Sequence, residues 1–240
     1  MARLTAHTLP IARVSAPERD AMWAVFERHY EDVTRARFDA DLAEKDHVIL
    51  LRDGPAVRGF STVCVRPMEV DGRSIVSVYS GDTVLDDGYR GQTALHRAFF
   101  WYVLAARLRH PSRLVVWFLI SKGYKTYLLL ARNFPTFWPR RDAETPAWAR
   151  TLVTTLARER FGDALDEAAL VLRVAHGRLR RAVAPLDGLD DPDIRYFATA
   201  NPNHADGEEL CCIGVVDAAF VFGFPVRVLR KLLRLPGAAR

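Results

Sequence analysis

Two runs that follow each other closely carry the residues best suited to chemistry. Gly81-Asp82-Thr83-Val84-Leu85 alternates like the end of a strand, and Tyr89-Arg90-Gly91-Gln92-Thr93-Ala94-Leu95 turns at its glycine and enters a long apolar helix. A glycine turn that opens a helix aims backbone N–H groups at one point, where the helix dipole also favours negative charge, so the arrangement suits an anion such as a phosphate group. Asp82 is the carboxylate best placed to hold a proton beside that point, with Glu69 second. The same Asp82 could instead satisfy local backbone, because Gly81 interrupts an otherwise regular strand and suggests a bulge. Tyr79, just before it, is a candidate contact for a substrate.

Other chemistries find no support. His7, His29, His47, His96, His110 and His176 have no metal-ligand spacing, and none is followed by aspartate five positions later, so neither a metal site nor a His-x4-Asp acyltransferase motif is expected. His204 stands among Asn201, Asp206 and Glu208, a polar cluster that could line a substrate mouth or be no more than a turn built on Asn-Pro and Asp-Gly. Gly59-Phe60-Ser61-Thr62-Val63 begins like a nucleophile elbow but lacks its second glycine. Phosphate-loop and dinucleotide glycine patterns are missing. Cys64, Cys211 and Cys212 offer neither metal spacing nor a disulfide framework. The net charge of +5 comes from basic residues dispersed among 29 acids, which argues against a nucleic-acid partner.

The elements that must position these residues can be read from punctuation and periodicity. Leu9 to Val14 reads as a strand, and Ser15 with Glu18 forms a capping box for a helix reaching about His29, with Pro17 in its first turn. A second helix, Arg35 to Glu44, turns Phe38 and Leu42 inward. Asp53-Gly54 and Asp71-Gly72 supply the left-handed backbone of tight turns, so Val48–Arg52, Val57–Arg66 and Arg73–Leu85 form an antiparallel meander. Gln92 to Leu108 is apolar on nearly every face and is expected to be central and buried. Leu114 to Ile120 reads as a buried strand, and Ser121 as the cap of a helix carrying Tyr124, Tyr127 and Leu128 to Leu130. Residues 133 to 139 should be an ordered loop, and Pro146 to Phe161 a helix. Ala168 to Val174 fits strand or helix equally, and Arg178 to Arg181 reads as a solvated charged face. Ile194 to Thr199 and Glu209 to Val216 read as strands, and Pro225 to Leu235 as a closing helix.

The strand, the Arg90-Gly91 turn and the helix after it resemble the Gcn5-related N-acetyltransferase superfamily, whose motif is Arg/Gln-x-x-Gly-x-Gly/Ala. The order strand, two helices, three-strand meander, turn, long helix, strand and helix, from residue 9 to about 132, is that superfamily's order. Thr93 and Leu95 depart from the motif, standing where it has small residues. The resemblance implies one α/β (α+β) domain over residues 1–240, with a mixed, mainly antiparallel central sheet flanked by helices. Its motif region would be 48–132, and residues 146–240 would complete the sheet and add helices. It implies acyl transfer from a coenzyme A or carrier-protein thioester to a small-molecule or peptide amine, with acyl-coenzyme A as co-substrate and no metal. Backbone groups of Thr83, Val84 and Leu85 would hold the pantetheine, and Arg90, Gly91, Gln92 and Thr93 the phosphates. Tyr127 would protonate the departing thiolate, with Tyr124 in reserve, and Asp82 would serve the amine; a tyrosine in an apolar helix can equally be packing.

Two alternatives stay open. One is a non-catalytic acyl-coenzyme A-binding module of the same fold, which Thr93 and Leu95 would suit. The other is a peripheral membrane protein, because Val226, Leu229, Leu232 and Leu233 alternate with Arg227, Arg230 and Lys231 in a basic amphipathic pattern that could instead dock on the domain. The opening residues lack an apolar signal stretch and no run is long enough to cross a bilayer, from which a cytoplasmic protein is expected.

Overall fold

The computed structural model describes residues 3–89, 91–173, 178–179, 186 and 188–223. Arg90, His176 and the closing helix expected over 225–235 lie outside them, as do all but two residues of the expected charged face 178–181.

In chain order the elements are β1 (Thr5–Pro10), α1 (Ala16–His29), β2 (Tyr30–Glu31), α2 (Arg35–Ala43), β3 (His47–Asp53), β4 (Ala56–Val70), β5 (Arg73–Leu85), α3 (Ala94–Arg109), β6 (Leu114–Ser121), α4 (Tyr124–Asn133), β7 (Phe137–Trp138), α5 (Ala147–Phe161), β8 (Leu165–Asp166), β9 (Val171–Leu172), β10 (Arg178–Leu179), α6 (Pro192–Ala200) and β11 (Glu209–Val215). A nine-stranded sheet runs β1-β3-β4-β5-β6-β11-β9-β8, with β7 on β11, while β2 and β10 form a separate ribbon. Every pair in the main sheet is antiparallel except β5 with β6. Fold class and element order through α4 are therefore those expected.

Alternation along the strands sends side chains to two faces. Ile49, Val76, Val78, Val115 and Trp117 pack with α3, α4 and α6 on one face. On the other, Val48, Leu50 and Phe60 meet α1 and α2, and Tyr79, Val116 and Phe118 meet α5.

Local signals worked where the chemistry is local. The Ser15 N–H and hydroxyl both reach Glu18 Oε2 at 2.7 Å, closing the capping box. Both Asp-Gly turns are left-handed at glycine, Gly54 at φ +56° and Gly72 at +69°. Four expectations need correction. The first strand spans residues 5–10, so Ile11 and Val14 sit not in the sheet but in a turn against the α1 core. Residues 194–199 are helical: Asp191 caps the Asp193 N–H at 2.8 Å, Pro192 sits in the first turn, and Ile194 and Phe197 bury one stripe. Helix α3 is not buried all round, since Trp101 and Leu108 are 60% and 69% exposed. Ser121 closes β6, and the cap of α4 is Gly123.

Candidate active site

Strand β5 and its parallel neighbour pair only from Ile75–Leu114 to Tyr79–Phe118. Beyond that point β5 continues to Leu85 against β4 alone, and β6 continues to Ser121 against β11. The two strands part, and the far edge of residues 80–85 carries no strand among the described residues. Trp117 on β6 donates its indole N–H to Ser80 Oγ (3.0 Å) at the point of parting.

The expected bulge lies at this place. Ser61 pairs with Thr83 and Val63 with Ser80, so Gly81 and Asp82 together oppose Thr62. A side chain at residue 81 would collide with the Thr62 hydroxyl and crowd Lys45 Cε, which explains the glycine. The extra residue turns Asp82 towards α2.

There Asp82 enters a cavity of about 440 Å³ on the face of α1, α2 and α5, lined also by the ends of β5, β6 and β11. Its carboxyl is hydrogen-bonded to that of Asp41; burial and this like charge push its pKa up to about 7, with Lys45 opposing. The Lys45 side chain is only 3% exposed and its ammonium lies 2.5 Å from Asp41 Oδ1. Asp41 and Lys45 stand four apart on the α2 helical turn and its exit, so one helix presents both to the bulge. Across the cavity Lys122 Nζ lies 3.5 Å from Glu209 Oε1, whose carboxyl burial raises. The guanidinium of Arg160 lies 4.1 Å from the centroid of the Tyr79 ring. Burial raises the hydroxyls of Tyr79 and Tyr30, so both remain neutral donors. A carboxyl that titrates near neutrality beside a buried ammonium can take a proton from a bound amine.

The structure thus brings Asp82 and Tyr79 together in one cavity and leaves other expected residues outside it. Tyr127, expected at the thiolate, is fully buried on the opposite face of the sheet. Its hydroxyl donates to the Pro139 carbonyl at 3.2 Å, and its ring packs among Phe137, Tyr196 and Phe197. Tyr124 is also buried, with the Lys125 ammonium over its ring. Glu69 lies at the far end of β4, opposite Ser74. His204 is buried in a turn, its Nδ1 3.0 Å from the Asn201 carbonyl and its ring edge-on to Phe197.

On the motif side, Gly91 has φ +85° and open space where a side chain would stand. Thr93 occupies the N-cap of α3 without a side-chain cap hydrogen bond. The Gln92 side chain is engaged elsewhere, accepting from the Leu4 N–H at 2.9 Å. Thr83 turns its hydroxyl to Ser61 (2.8 Å), so its side chain serves the sheet and only backbone remains for a ligand. Val84 is buried and Leu85 half-buried.

Asp41, Lys45, Lys122, Arg160 and Glu209 were missed by sequence reasoning. The Asp41-x3-Lys45 spacing signals a helical ion pair, yet nothing local says that a bulge forty residues later meets it.

The architecture defines an α/β fold whose sheet opens between two parallel strands beside a half-buried carboxylate. No family model matches the chain, and no curated protein matches it. Among solved structures it is similar to a Gcn5-related N-acetyltransferase from Kribbella flavida, 14% identical over 54% of this chain and 32% of that one, with a TM-score of 0.40. It is also similar to the N-acetyltransferase YhbS of Escherichia coli, solved in complex with CoA, at 18% identity over 55% and 72% with a TM-score of 0.39. A third is an aminoglycoside acetyltransferase from an uncultured soil metagenomic sample, in complex with sisomicin, at 12% identity over 60% and 95% with a TM-score of 0.39. The match spans about a third of the Kribbella protein's length. These superpositions are partial, and the parting of β5 from β6 stands on this chain's own hydrogen bonds.

Proposed function

We propose that the chain is a divergent Gcn5-related N-acyltransferase that moves an acyl group from a coenzyme A or carrier-protein thioester to an amine. The observation that carries this reading is the parting of β5 from β6 beyond Tyr79–Phe118, with Asp82 on the bulged end of β5 inside a cavity at the opening. The open edge of residues 83–85 would pair with the pantetheine amides, and the α3 first turn with Gly91 would receive the pyrophosphate.

In the reaction an acceptor ammonium gives one proton to Asp82. The neutral nitrogen attacks the thioester carbonyl, the C–N bond forms and the C–S bond breaks, and the thiolate takes the second proton of the nitrogen. Burial and Asp41 raise Asp82 and Lys45 opposes them, so it titrates near neutrality, where it is both ionised enough to accept and basic enough to hold a proton. Tyr127 is given no step, because its hydroxyl is engaged on the other face.

Calorimetric titration with acetyl-coenzyme A, followed by thiol release in the presence of primary amines, tests the proposal. Binding with amine-dependent thiol release is expected. Binding without release from any amine would favour the non-catalytic module instead, a reading to which the engaged Tyr127 hydroxyl lends support.

A further inference from the structure

Two ion pairs of the cavity are closed, and its wall also carries Asp32, Arg37, Glu44, Arg66 and Glu159. Lys45 is bound to Asp41 and Lys122 to Glu209, so neither pair calls for a charged ligand. Beside Tyr79 stand Asp82, whose acting cation Lys45 is already committed, and Arg160, engaged among the described residues by the Tyr79 ring rather than by a carboxylate. The two flank Tyr79, whose hydroxyl lies in the field of both. On the helical side the wall between them is made of rings, Phe26 stacked on Tyr30 at 4.5 Å and Phe38 at 5.2 Å from Phe26.

A ligand that complements such a wall carries one positive charge, one negative charge and an apolar body. Building on the acyl-transfer reading above, we propose that the acceptor is an amino acid with an aromatic or large apolar side chain. Its ammonium lies at Asp82, its carboxylate at Arg160 and its side chain against Phe26, Tyr30 and Phe38. The guanidinium offers a carboxylate two parallel N–H donors, and leaving the Tyr79 ring for a carboxylate exchanges a weak contact for a charge-assisted one. The volume of about 440 Å³ is that of a small-molecule site and admits such an amino acid together with the acyl end of the donor.

The test is thiol release from acetyl-coenzyme A by the whole protein with L-phenylalanine, phenethylamine and spermidine. It is run beside calorimetric titration of L-phenylalanine in the presence of coenzyme A. L-phenylalanine should exceed phenethylamine in kcat/KM by about tenfold or more, the value of one charge-assisted hydrogen-bonded contact, and spermidine should fall below both. Arg160→Met should reduce the ratio of L-phenylalanine to phenethylamine by about tenfold, and Arg160→Lys, which keeps the charge but not the two parallel donors, should restore part of it. A ratio near one, or a ratio that Arg160→Met leaves unmoved, overturns the carboxylate assignment. Thiol release driven best by spermidine overturns the acceptor class while leaving acyl transfer standing. Absence of acetyl-coenzyme A binding with no release from any amine removes the acyl-transfer reading itself.

Discussion

Replacing Asp82 with asparagine should make the protein more stable at alkaline pH. Burial and the neighbouring Asp41 raise the Asp82 carboxyl from 3.8 to about 7. Between those values the folded protein holds a proton that the unfolded chain has released. Stability therefore falls by about 1.4 kcal/mol per pH unit across the window and levels off above it. Integrated from 3.8 to 7, the cost approaches about 4 kcal/mol, an upper bound because water reaching a cavity group screens its charge. Asparagine has nearly the same shape, carries no charge at any pH and can donate to Asp41. Asp82→Asn should gain most of that amount at pH 8 and little at pH 4, where the parent residue is protonated in the folded state and the unfolded chain has released only about half of its protons. For a chain of this size the gain at pH 8 corresponds to a Tm rise on the order of 10 °C. Calorimetric melting of both proteins at pH 4, 6 and 8 measures it. Curves that run parallel across the three pH values would refute the reasoning, because they would mean that Asp82 titrates as an ordinary surface carboxylate.

Three more outcomes follow from the same geometry. Lys45→Met removes the ammonium that pulls the Asp82 pKa down, so the midpoint of the pH–rate profile should move to higher pH, with Lys45→Arg returning it; the profile of thiol release against pH reads this out. Gly81→Ala forces a methyl group onto the Thr62 hydroxyl and should cost about 1–3 kcal/mol in urea unfolding while displacing Asp82. Tyr127→Phe should cost about 1 kcal/mol through its lost bond to Pro139 and leave the pH profile of turnover in place, as urea unfolding and rate profiles of the variant will register.

Much of the frame was legible because its signals are local. Asp53-Gly54, Asp71-Gly72 and the Ser15–Glu18 box act within four residues, and each formed as read. The bulge at Gly81 was legible from one glycine breaking an alternation. Residues 194–199 were misread because a short apolar run suits either period, and the deciding signal lay outside it, in Asp191 and Pro192. Trp101 and Leu108 show that apolar composition does not fix which face of a helix is covered. The site was legible only in the residues it contributes from β5. Asp41, Lys45, Arg160 and Glu209 arrive from α2, its exit, α5 and β11, and their convergence is a property of sheet order rather than of spacing. The surroundings of Tyr127 were illegible for the complementary reason: its place on α4 was clear, but what its side chain meets depends on β7 and α6 packing around it.

The most direct test is a crystal structure of the protein with acetyl-coenzyme A. The account predicts the pantetheine lying between β5 and β6, hydrogen-bonded to the backbone of residues 83–85, with the thioester carbonyl at the mouth of the cavity that holds Asp82. A donor bound on another surface, or β5 and β6 found paired through to their ends, would contradict it.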